Sequence, residues 1–205
     1  MSARLTDMKD QLILADPAWP YAWAKGERGG HFAPEKHYET MAVEDICKLP
    51  VNQLAHKNCA LALWATGPCM PDALTVMRAW GFVWKTVLHV WVKTNPRSRT
   101  VVTGPGSFTR SSCEYLVLGM RGHLRGISKV IPQTMLLPRG RHSEKPKEFR
   151  DSLVKLFGEV PRIELFARQA APGWHAWGSD LQPDIDWEIQ TRRQPPASLF
   201  EDIAR

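Results

Sequence analysis

The chain has 205 residues, of which 43% are hydrophobic and 23% charged, enough for one sizeable core and too little for two ordinary domains. It has no apolar run long enough to span a membrane and no signal-peptide core near its start, so we expect a cytoplasmic protein. The net charge of +6 is uneven, because residues 78–150 carry 14 Lys and Arg against 3 Asp and Glu. This basic segment favours a polyanionic partner, nucleic acid first, although a solvated basic surface is the alternative.

The elements predicted from the apolar pattern succeed one another in chain order. They are a strand at Gln11–Ala15, a glycine-rich loop at 20–34, a helix at Val43–Leu49 capped by Thr40, a strand at Cys59–Ala65, a helix at Met70–Trp80, a strand at Trp84–Lys93, a basic loop at 96–111, a strand at Glu114–Leu118, a hairpin or paired edge at 119–124 and 128–136, a helix at Lys147–Phe157 and a strand at Arg162–Ala167.

Strands that alternate with helices and have continuous apolar runs predict an α/β fold with a mostly parallel sheet flanked by helices. We expect one domain over residues 1–182 and a polar tail over 183–205. The four cysteines form no C-x-x-C pair and have no zinc spacing, and the histidines have no ligand spacing. The cysteines are therefore predicted to be reduced core residues, and no metal is predicted.

Polar residues come directly after several of the predicted strands. They are Asp16, the pair Thr66–Gly67, the run Lys93–Asn95 and, slightly later, Arg168. Because ligands bind beyond the carboxyl ends of strands in open α/β sheets, we expect a shared site at this edge.

The segment Asp16-Pro17-Ala18-Trp19 comes after the first strand and suits an exocyclic amine on a flat heterocycle. The Asp16 carboxylate can accept one N–H of the amine, and the carbonyl of Pro17 or Ala18 can accept the other. Trp19 or Tyr21 can stack on the ring. An Asp-Pro turn beside a buried tryptophan is the alternative interpretation of the four residues alone.

The order of motifs along the chain resembles the MT-A70 family of S-adenosylmethionine-dependent N6-adenine methyltransferases, over residues 12–181. The matching segments are Asp16-Pro17-Ala18-Trp19 for D-P-P-W, Tyr38-x-Thr40-Met41 for Y-x-T-M, Leu63-Trp64-x-x-Gly67 for L-W-x-x-G, Trp91–Asn95 for W-V-K-T-N, Glu114–Gly119 for the next strand of the family, His142-Ser143-x-Lys145-Pro146 for H-S-x-K-P, and Ile163–Arg168 for I-E-L-F-[AG]-R, with Trp174 and Trp177-Gly178 after it.

The resemblance implies a Rossmann-like class I methyltransferase fold in the permuted order, with the catalytic motif before the cofactor-binding strand. It implies that Asp16 holds the target amine near the methionine end of S-adenosylmethionine and that Lys145 pairs with the carboxylate of that cofactor. The further cofactor-binding positions that it implies are Glu164, Arg168, Gly178, Ser179 and Asp180.

Two departures from the family pattern bear on the site. Ala18 replaces the second proline of D-P-P-W, which keeps the carbonyl and makes the loop less rigid. Ser179-Asp180 stands where the family often has Asn-Gln or Asn-Glu, so the cofactor contacts there differ.

Further residues are predicted to contact the substrate. Trp23, in the glycine-rich loop, is a candidate for base or cofactor contact. Basic and polar side chains after the third strand are predicted to lie on the nucleic acid, mostly on phosphates, namely Lys93, Asn95, Arg97, Arg99 and Arg110, with Arg121, Arg125, Arg139 and Arg141 in later loops.

The predicted function is methyl transfer from S-adenosylmethionine to adenine N6 in nucleic acid. DNA is favoured, because a compact chain resembles the bacterial or phage members of the family. RNA methylation, a non-catalytic nucleic-acid-binding partner subunit, and methylation of a small molecule or protein amine are the alternatives. We expect a monomer or a homodimer.

Overall fold

The computed structural model describes residues 9–20, 40–106, 108–128, 130–140, 144–178 and 181. Its elements are β1 (Asp10–Ala15), α1 (Val43–Lys48), α2 (Val51–Leu54), β2 (Ala55–Ala65), α3 (Met70–Ala79), β3 (Val83–Thr94), β4 (Cys113–Arg121), β5 (Thr134–Pro138), α4 (Lys147–Phe157), β6 (Arg162–Leu165) and β7 (His175–Trp177).

One sheet contains all seven of these strands, in the order β5-β3-β4-β2-β1-β6-β7. Its pairings are parallel except for those of β4, which runs antiparallel to both β2 and β3. The mostly parallel sheet predicted from the continuous apolar runs is therefore confirmed. Strand β1 lies directly beside β6, although most of the described sheet lies between them in the sequence.

The two faces of the sheet bury separate apolar clusters, which makes the molecule three-layered. Side chains of α1 and α3, such as Ile46 and Met77, pack against Ile13 and Leu63 on one face. On the other face, α4 packs against the cluster around Trp64. Because successive side chains of a strand point to opposite faces, a continuous apolar run such as that of β2 supplies both clusters at once.

The sequence of helix α4 explains where the helix begins, where it ends and which of its faces is buried. Pro146 stands at its N-cap position with Lys147 as the first helical residue, and Gly158 ends it with a φ of 83°, a conformation that glycine adopts without strain. Phe149, Leu153 and Phe157 are spaced four apart, so they face the sheet together.

Several sequence predictions differ from the structure. Of the two alternatives for 119–124 and 128–136, the hairpin is wrong, because β4 continues through Gly119 to Arg121. The paired edge is confirmed for the end of the second segment, because β5 is an edge strand that pairs in parallel with β3. Thr40 does not cap α1, whose N-cap residue is Ala42. The strand predicted at Arg162–Ala167 ends two residues early, at Leu165, because Phe166 has a φ of 62°, which a β-strand does not accommodate.

Two short elements, α2 and β7, were not predicted, since three or four residues carry too little periodicity to show in a sequence. All four cysteines are free thiols. Cys59 and Cys69 are buried as expected, whereas Cys47 and Cys113 are only partly buried. The predicted tail, 183–205, lies outside the described residues.

Candidate active site

The sheet topology brings the polar strand ends to one edge. Strands β1, β2, β3 and β6 run in the same direction, so the residues just beyond them, such as Asp16, Thr66 and Asn95, lie along the same edge. The antiparallel strand β4 contributes its beginning instead, which places Glu114 at this edge. The topology thus places the polar strand ends along one edge, as predicted. It also places Glu114 there, which could not be predicted from residues that follow the ends of parallel strands.

Four charged side chains form an ionic chain at this edge, which we call the ionic cluster: Asp16, Lys145, Glu114 and Lys93. The Lys145 Nζ atom lies 2.8 and 2.7 Å from the two carboxylate oxygens of Asp16 and 3.3 Å from Glu114 Oε2. The Lys93 ammonium donates to Glu114 Oε1. Two cations and two carboxylates alternate, so the charges of this largely buried group balance.

Aromatic rings complete the surroundings of the two lysines. Lys145 Nζ lies 5.3 Å from the ring centroid of Trp64, and Lys93 Nζ lies 5.1 Å from that of Trp91. Both distances are within the range of cation–π attraction. The indoles therefore restrict each ammonium group from one side while the carboxylates hold it from another.

Burial and charge act in opposite directions on the carboxylates of the ionic cluster. Burial raises the pKa of Asp16 above its usual value, although the Lys145 ammonium works against that rise. Burial would also raise the pKa of Glu114, but Lys145 and Lys93 together outweigh it and hold that pKa below its usual value. Burial opposes the charge of Lys145, yet Asp16 and Glu114 raise its pKa, so this lysine stays protonated.

A second ion pair lies on the neighbouring strand. Arg150 Nη1 of α4 donates to Glu164 Oε2 of β6 at 2.7 Å. Burial raises the pKa of Glu164, and the pair with Arg150 opposes this rise. The charge of Arg168, beyond the end of β6, acts on Asp16 and lowers its pKa. The predicted cofactor positions Glu164 and Arg168 are therefore brought close to Asp16 and Lys145.

The loop after β1 is held by backbone and indole hydrogen bonds. The Met41 N–H donates to the Ala18 carbonyl at 3.0 Å, and the Trp19 N–H donates to the Pro17 carbonyl at 2.9 Å. Each of these carbonyls keeps a second lone pair, so either can still accept an amine N–H. The match to Y-x-T-M thus has a structural counterpart, because Met41 fixes the carbonyl that replaces that of the second proline.

The side chain of Trp19 lies in the core. It is 4% exposed, and its indole N–H donates to the Trp64 carbonyl at 2.9 Å. The prediction that this ring stacks on a base does not fit this placement. Trp19 instead ties the loop that carries Asp16 to the end of β2. Tyr21 and Trp23, the other predicted stacking residues, lie outside the described residues.

The predicted cofactor positions at the end of β7 are only partly described, since Ser179 and Asp180 lie outside the described residues. A Cβ atom on Gly178 would approach the Ala167 carbonyl oxygen to 2.0 Å, so the backbone contact itself requires glycine here. Because Ala167 directly precedes Arg168, this contact fixes the chain beside a predicted cofactor residue.

The residues present fit the methionine end of S-adenosylmethionine. The Asp16 carboxylate and the Lys145 ammonium offer one acceptor and one donor, as a zwitterionic amino acid requires. The Thr66 hydroxyl at the same edge is buried and has no hydrogen-bond partner among the described residues, so it leaves polar capacity for a ligand. Among those residues, no group of three or more His, Cys, Asp and Glu side chains converges as a metal site would require.

The loop between β3 and β4 carries the predicted substrate residues. The Asn95 side-chain oxygen accepts the backbone N–H groups of Arg97 and Ser98, so this side chain braces its own loop. Arg97, Arg99 and Arg110 are exposed. Lys93, by contrast, is engaged with Glu114, so it belongs to the ionic cluster rather than to the exposed basic surface.

Glu114 and Arg150 were not predicted as site residues. Glu114 is one of only three acidic residues in the basic segment, and this was the available signal. The strand-end rule missed it because the rule considers residues beyond the carboxyl end of a parallel strand, whereas Glu114 lies near the start of an antiparallel one. Arg150 lies in the first turns of a helix and gave no signal.

The sheet order, the helical layers on both faces and the polar strand ends at one edge are those of a Rossmann-like methyltransferase fold. The MT-A70 family model matches residues 10–180. The chain therefore belongs to the MT-A70 family. Since that match covers most of the sequence, it includes every described residue of the site.

Individual relatives differ in how much of their length the chain covers. It is 32% identical to the Type II methyltransferase M.MunI of Mycoplasma sp over 92% of this chain and 84% of that protein. It is 30% identical to an N(6)-adenosine-methyltransferase MT-A70-like protein of Arabidopsis thaliana and 27% identical to the N(6)-adenosine-methyltransferase catalytic subunit METTL3 of Homo sapiens, over 93% and 84% of this chain. The chain spans only 28% of each of those two. No helix in the described part of the chain is both long and apolar enough to cross a membrane.

Proposed function

We propose that the chain transfers a methyl group from S-adenosylmethionine to the N6 amine of adenine in DNA. The observation that carries this proposal is the Asp16 carboxylate, held at the end of β1 by Lys145 in a loop whose carbonyls are also fixed. An amine with two N–H groups needs two such acceptors in fixed positions. When bound, S-adenosylmethionine would supply the electrophilic methyl group: an N–C bond to adenine N6 replaces the S–C bond, S-adenosylhomocysteine is the product, and the methylated nitrogen loses its extra proton after the new bond has formed.

The residues of this chain orient the amine. Asp16 accepts one N–H of adenine N6, and the carbonyl of Pro17 or Ala18 accepts the other, which turns the nitrogen lone pair toward the methyl group. Asp16 and Lys145 neutralise each other in the structure, so an amino acid zwitterion can separate them without leaving either charge unpaired. Lys145 then binds the carboxylate of the cofactor, and Glu114 keeps the lysine in position.

DNA is favoured by a relative that is matched over most of both chains. That protein is named a Type II methyltransferase, whereas the relatives named as adenosine methyltransferases are covered over about a quarter to half of their length. Adenine N6 cannot reach a methyl donor from within a base stack, so the base is presented single-stranded or flipped out of a duplex. The exposed arginines after β3 supply the phosphate contacts.

Methylation of RNA is the second candidate, and several N(6)-adenosine-methyltransferase relatives favour it. The deciding experiment incubates the protein with labelled S-adenosylmethionine and single- and double-stranded DNA and RNA, with nucleoside mass spectrometry as the readout. We expect N6-methyladenine in DNA that disappears in Asp16→Ala. An exposed control, Asp45→Ala, keeps the activity, because Asp45 pairs with Lys48 at the surface, away from the site.

Cofactor binding measured by calorimetry separates the remaining possibilities. If the protein binds S-adenosylmethionine and methylates only RNA, DNA as the substrate is contradicted, while the assignment as an adenine-N6 methyltransferase stands. A protein that neither binds the cofactor nor methylates any of the four substrates contradicts the enzyme and supports a non-catalytic, nucleic-acid-binding subunit.

A further inference from the structure

The loop between β3 and β4 is held together by backbone hydrogen bonds. Asn95 closes a turn, with its N–H donating to the Thr100 carbonyl at 2.8 Å. The chain then returns along β3, where the Val102 N–H donates to the Lys93 carbonyl at 2.8 Å. The Gly104 N–H donates to the Ser111 carbonyl at 2.6 Å and closes the base of a second turn. We call the described residues 101–106 and 108–112 the projecting hairpin.

The projecting hairpin starts and ends at the ionic cluster. Lys93 contacts both of its arms, because its N–H donates to the Ser112 carbonyl while its own carbonyl accepts from Val102. Glu114 lies two residues after Ser112 and is the carboxylate partner of Lys93 and Lys145. The hairpin therefore extends from the same edge of the sheet that holds Asp16.

A large apolar side chain occupies the tip of this hairpin. Phe108 has a relative exposure of 102%, so its ring contacts essentially nothing in the described part of the protein. The turn that presents it is tight, since a Cβ atom on Gly106 would lie 1.9 Å from the Thr109 carbonyl oxygen. Arg110 lies two residues further on, and its guanidinium donates to the Thr103 carbonyl at 3.4 Å. The same hairpin therefore carries a cation as well as the aromatic ring.

Exposed apolar residues that stand alone need no functional explanation in general. Phe108 differs in its setting, because its loop has a braced backbone, carries exposed arginines and extends from the edge of the active site. An aromatic ring among cations is the combination that binds bases and phosphates together. The same combination lets an apolar wedge enter a base stack and fill the space of an extruded base.

We propose that Phe108 stacks on the bases of the nucleic acid and that the exposed arginines of the same loop bind the adjoining phosphates. This inference rests on the proposed function and adds to it the element that opens or clamps the strand around the target adenine. No covalent step is assigned to Phe108. It acts on the substrate before methyl transfer, by holding the bases next to the target in an unstacked arrangement.

The test compares Phe108→Ala with Phe108→Trp in the full chain, by fluorescence anisotropy with labelled single-stranded and duplex DNA over a range of salt concentrations. Phe108→Ala is expected to weaken binding by about tenfold or more, because base–aromatic stacking is lost. The slope of log K against log salt stays unchanged, since no phosphate contact is lost. Phe108→Trp restores the binding.

Two control variants separate stacking from other effects. Arg110→Ala lowers the magnitude of the salt slope by about one, as expected for one phosphate contact. Val101→Ala removes another exposed apolar side chain, at the base of the same loop and away from its tip, and leaves binding unchanged. Affinity for S-adenosylmethionine and thermal stability stay at the wild-type values in Phe108→Ala, because the ring is fully exposed in the fold.

The outcomes distinguish this inference from the proposed function. A loss of affinity in Phe108→Ala on duplex alone supports insertion into the base stack, and a loss on both substrates supports stacking on open bases. If the wild-type protein methylates DNA and Phe108→Ala binds DNA with the same affinity as the wild type, the role of Phe108 is overturned and the proposed function stands. A wild-type protein that binds no nucleic acid overturns both this inference and the proposed function.

Discussion

The Lys145 Nζ atom lies 2.8 and 2.7 Å from the two carboxylate oxygens of Asp16, although 129 residues separate them in the sequence. Asp16 lies just beyond β1, an interior strand of the sheet, whereas Lys145 precedes the helix that covers one face. The contact therefore joins two layers of the fold at the point where the target amine and the cofactor are proposed to meet. We expect its strength to affect both stability and methyl transfer.

Replacing Lys145 by methionine leaves the Asp16 carboxylate buried without its main cationic partner. We expect a loss of about 1–3 kcal/mol in the free energy of unfolding at neutral pH, less than for a fully buried pair because the Asp16 side chain is 26% exposed. Burial already raises the pKa of Asp16, and loss of the lysine raises it further. A raised carboxyl pKa means that the native state holds its proton longer than the unfolded state, so stability falls as pH rises. Denaturant unfolding at pH 5 and pH 8 should show the larger deficit at pH 8, and an equal deficit at both contradicts the argument.

Glu114→Gln tests the carboxylate that joins the two lysines. The pKa of Glu114 is held below its usual value, so its ionised form stabilises the fold at neutral pH, and this contribution is lost as pH falls through the folded-state pKa. We expect the variant to be about 1–3 kcal/mol less stable at pH 7, with the difference disappearing in acid. The KM for S-adenosylmethionine should rise more than kcat falls, because Lys145 loses one of its two carboxylate supports. An unchanged KM would exclude this positioning role.

Trp19→Phe removes the indole N–H that holds the loop carrying Asp16 and leaves the Trp64 carbonyl without that donor. Trp80→Phe is a matched control, because the Trp80 indole also donates to a backbone carbonyl, that of Ile46, at 2.9 Å in the same core. Both variants should lose about 1–2 kcal/mol of stability. Only Trp19→Phe should lower kcat for methyl transfer, which steady-state kinetics would measure. Equal kcat values in the two variants would contradict the role of Trp19 in positioning the loop that carries Asp16.

Asp10→Asn concerns the opposite edge of the sheet, where β1 begins. Burial raises the pKa of Asp10 to about 6, although His175, 3.4 Å away, works against the rise. The native state therefore loses stability relative to the unfolded state between about pH 4 and pH 6, and the penalty is complete at higher pH. Asp10→Asn should raise the melting temperature at pH 8 and have little effect at pH 4. The exposed control Asp45→Asn should change neither value, and destabilisation by Asp10→Asn at pH 8 would count against this sign.

The order of the strands along the sequence could be predicted because buried strands are continuous apolar runs. Leu12 to Ala15 and Ala60 to Ala65 are buried on both faces of the sheet, so no polar residue interrupts them. The motifs at their ends were visible for the same reason, since the first polar residue after such a run marks the sheet edge. Asp16 was therefore predicted as a site residue from its own neighbours in the sequence, whereas Lys145 and Glu164 were predicted from the resemblance to the family.

The partners of those residues depended on the tertiary structure. Glu114 reaches Lys145 only because β4 runs antiparallel, which places the start of that strand beside the ends of the others. Trp19 turns into the core because the end of β2 offers it a carbonyl. Its own segment allowed both a stacking and a buried tryptophan, and only the position of β2 decides between them. Apolar burial is a local property of each run of sequence, whereas the pairing of charges is decided by which elements the sheet order brings together.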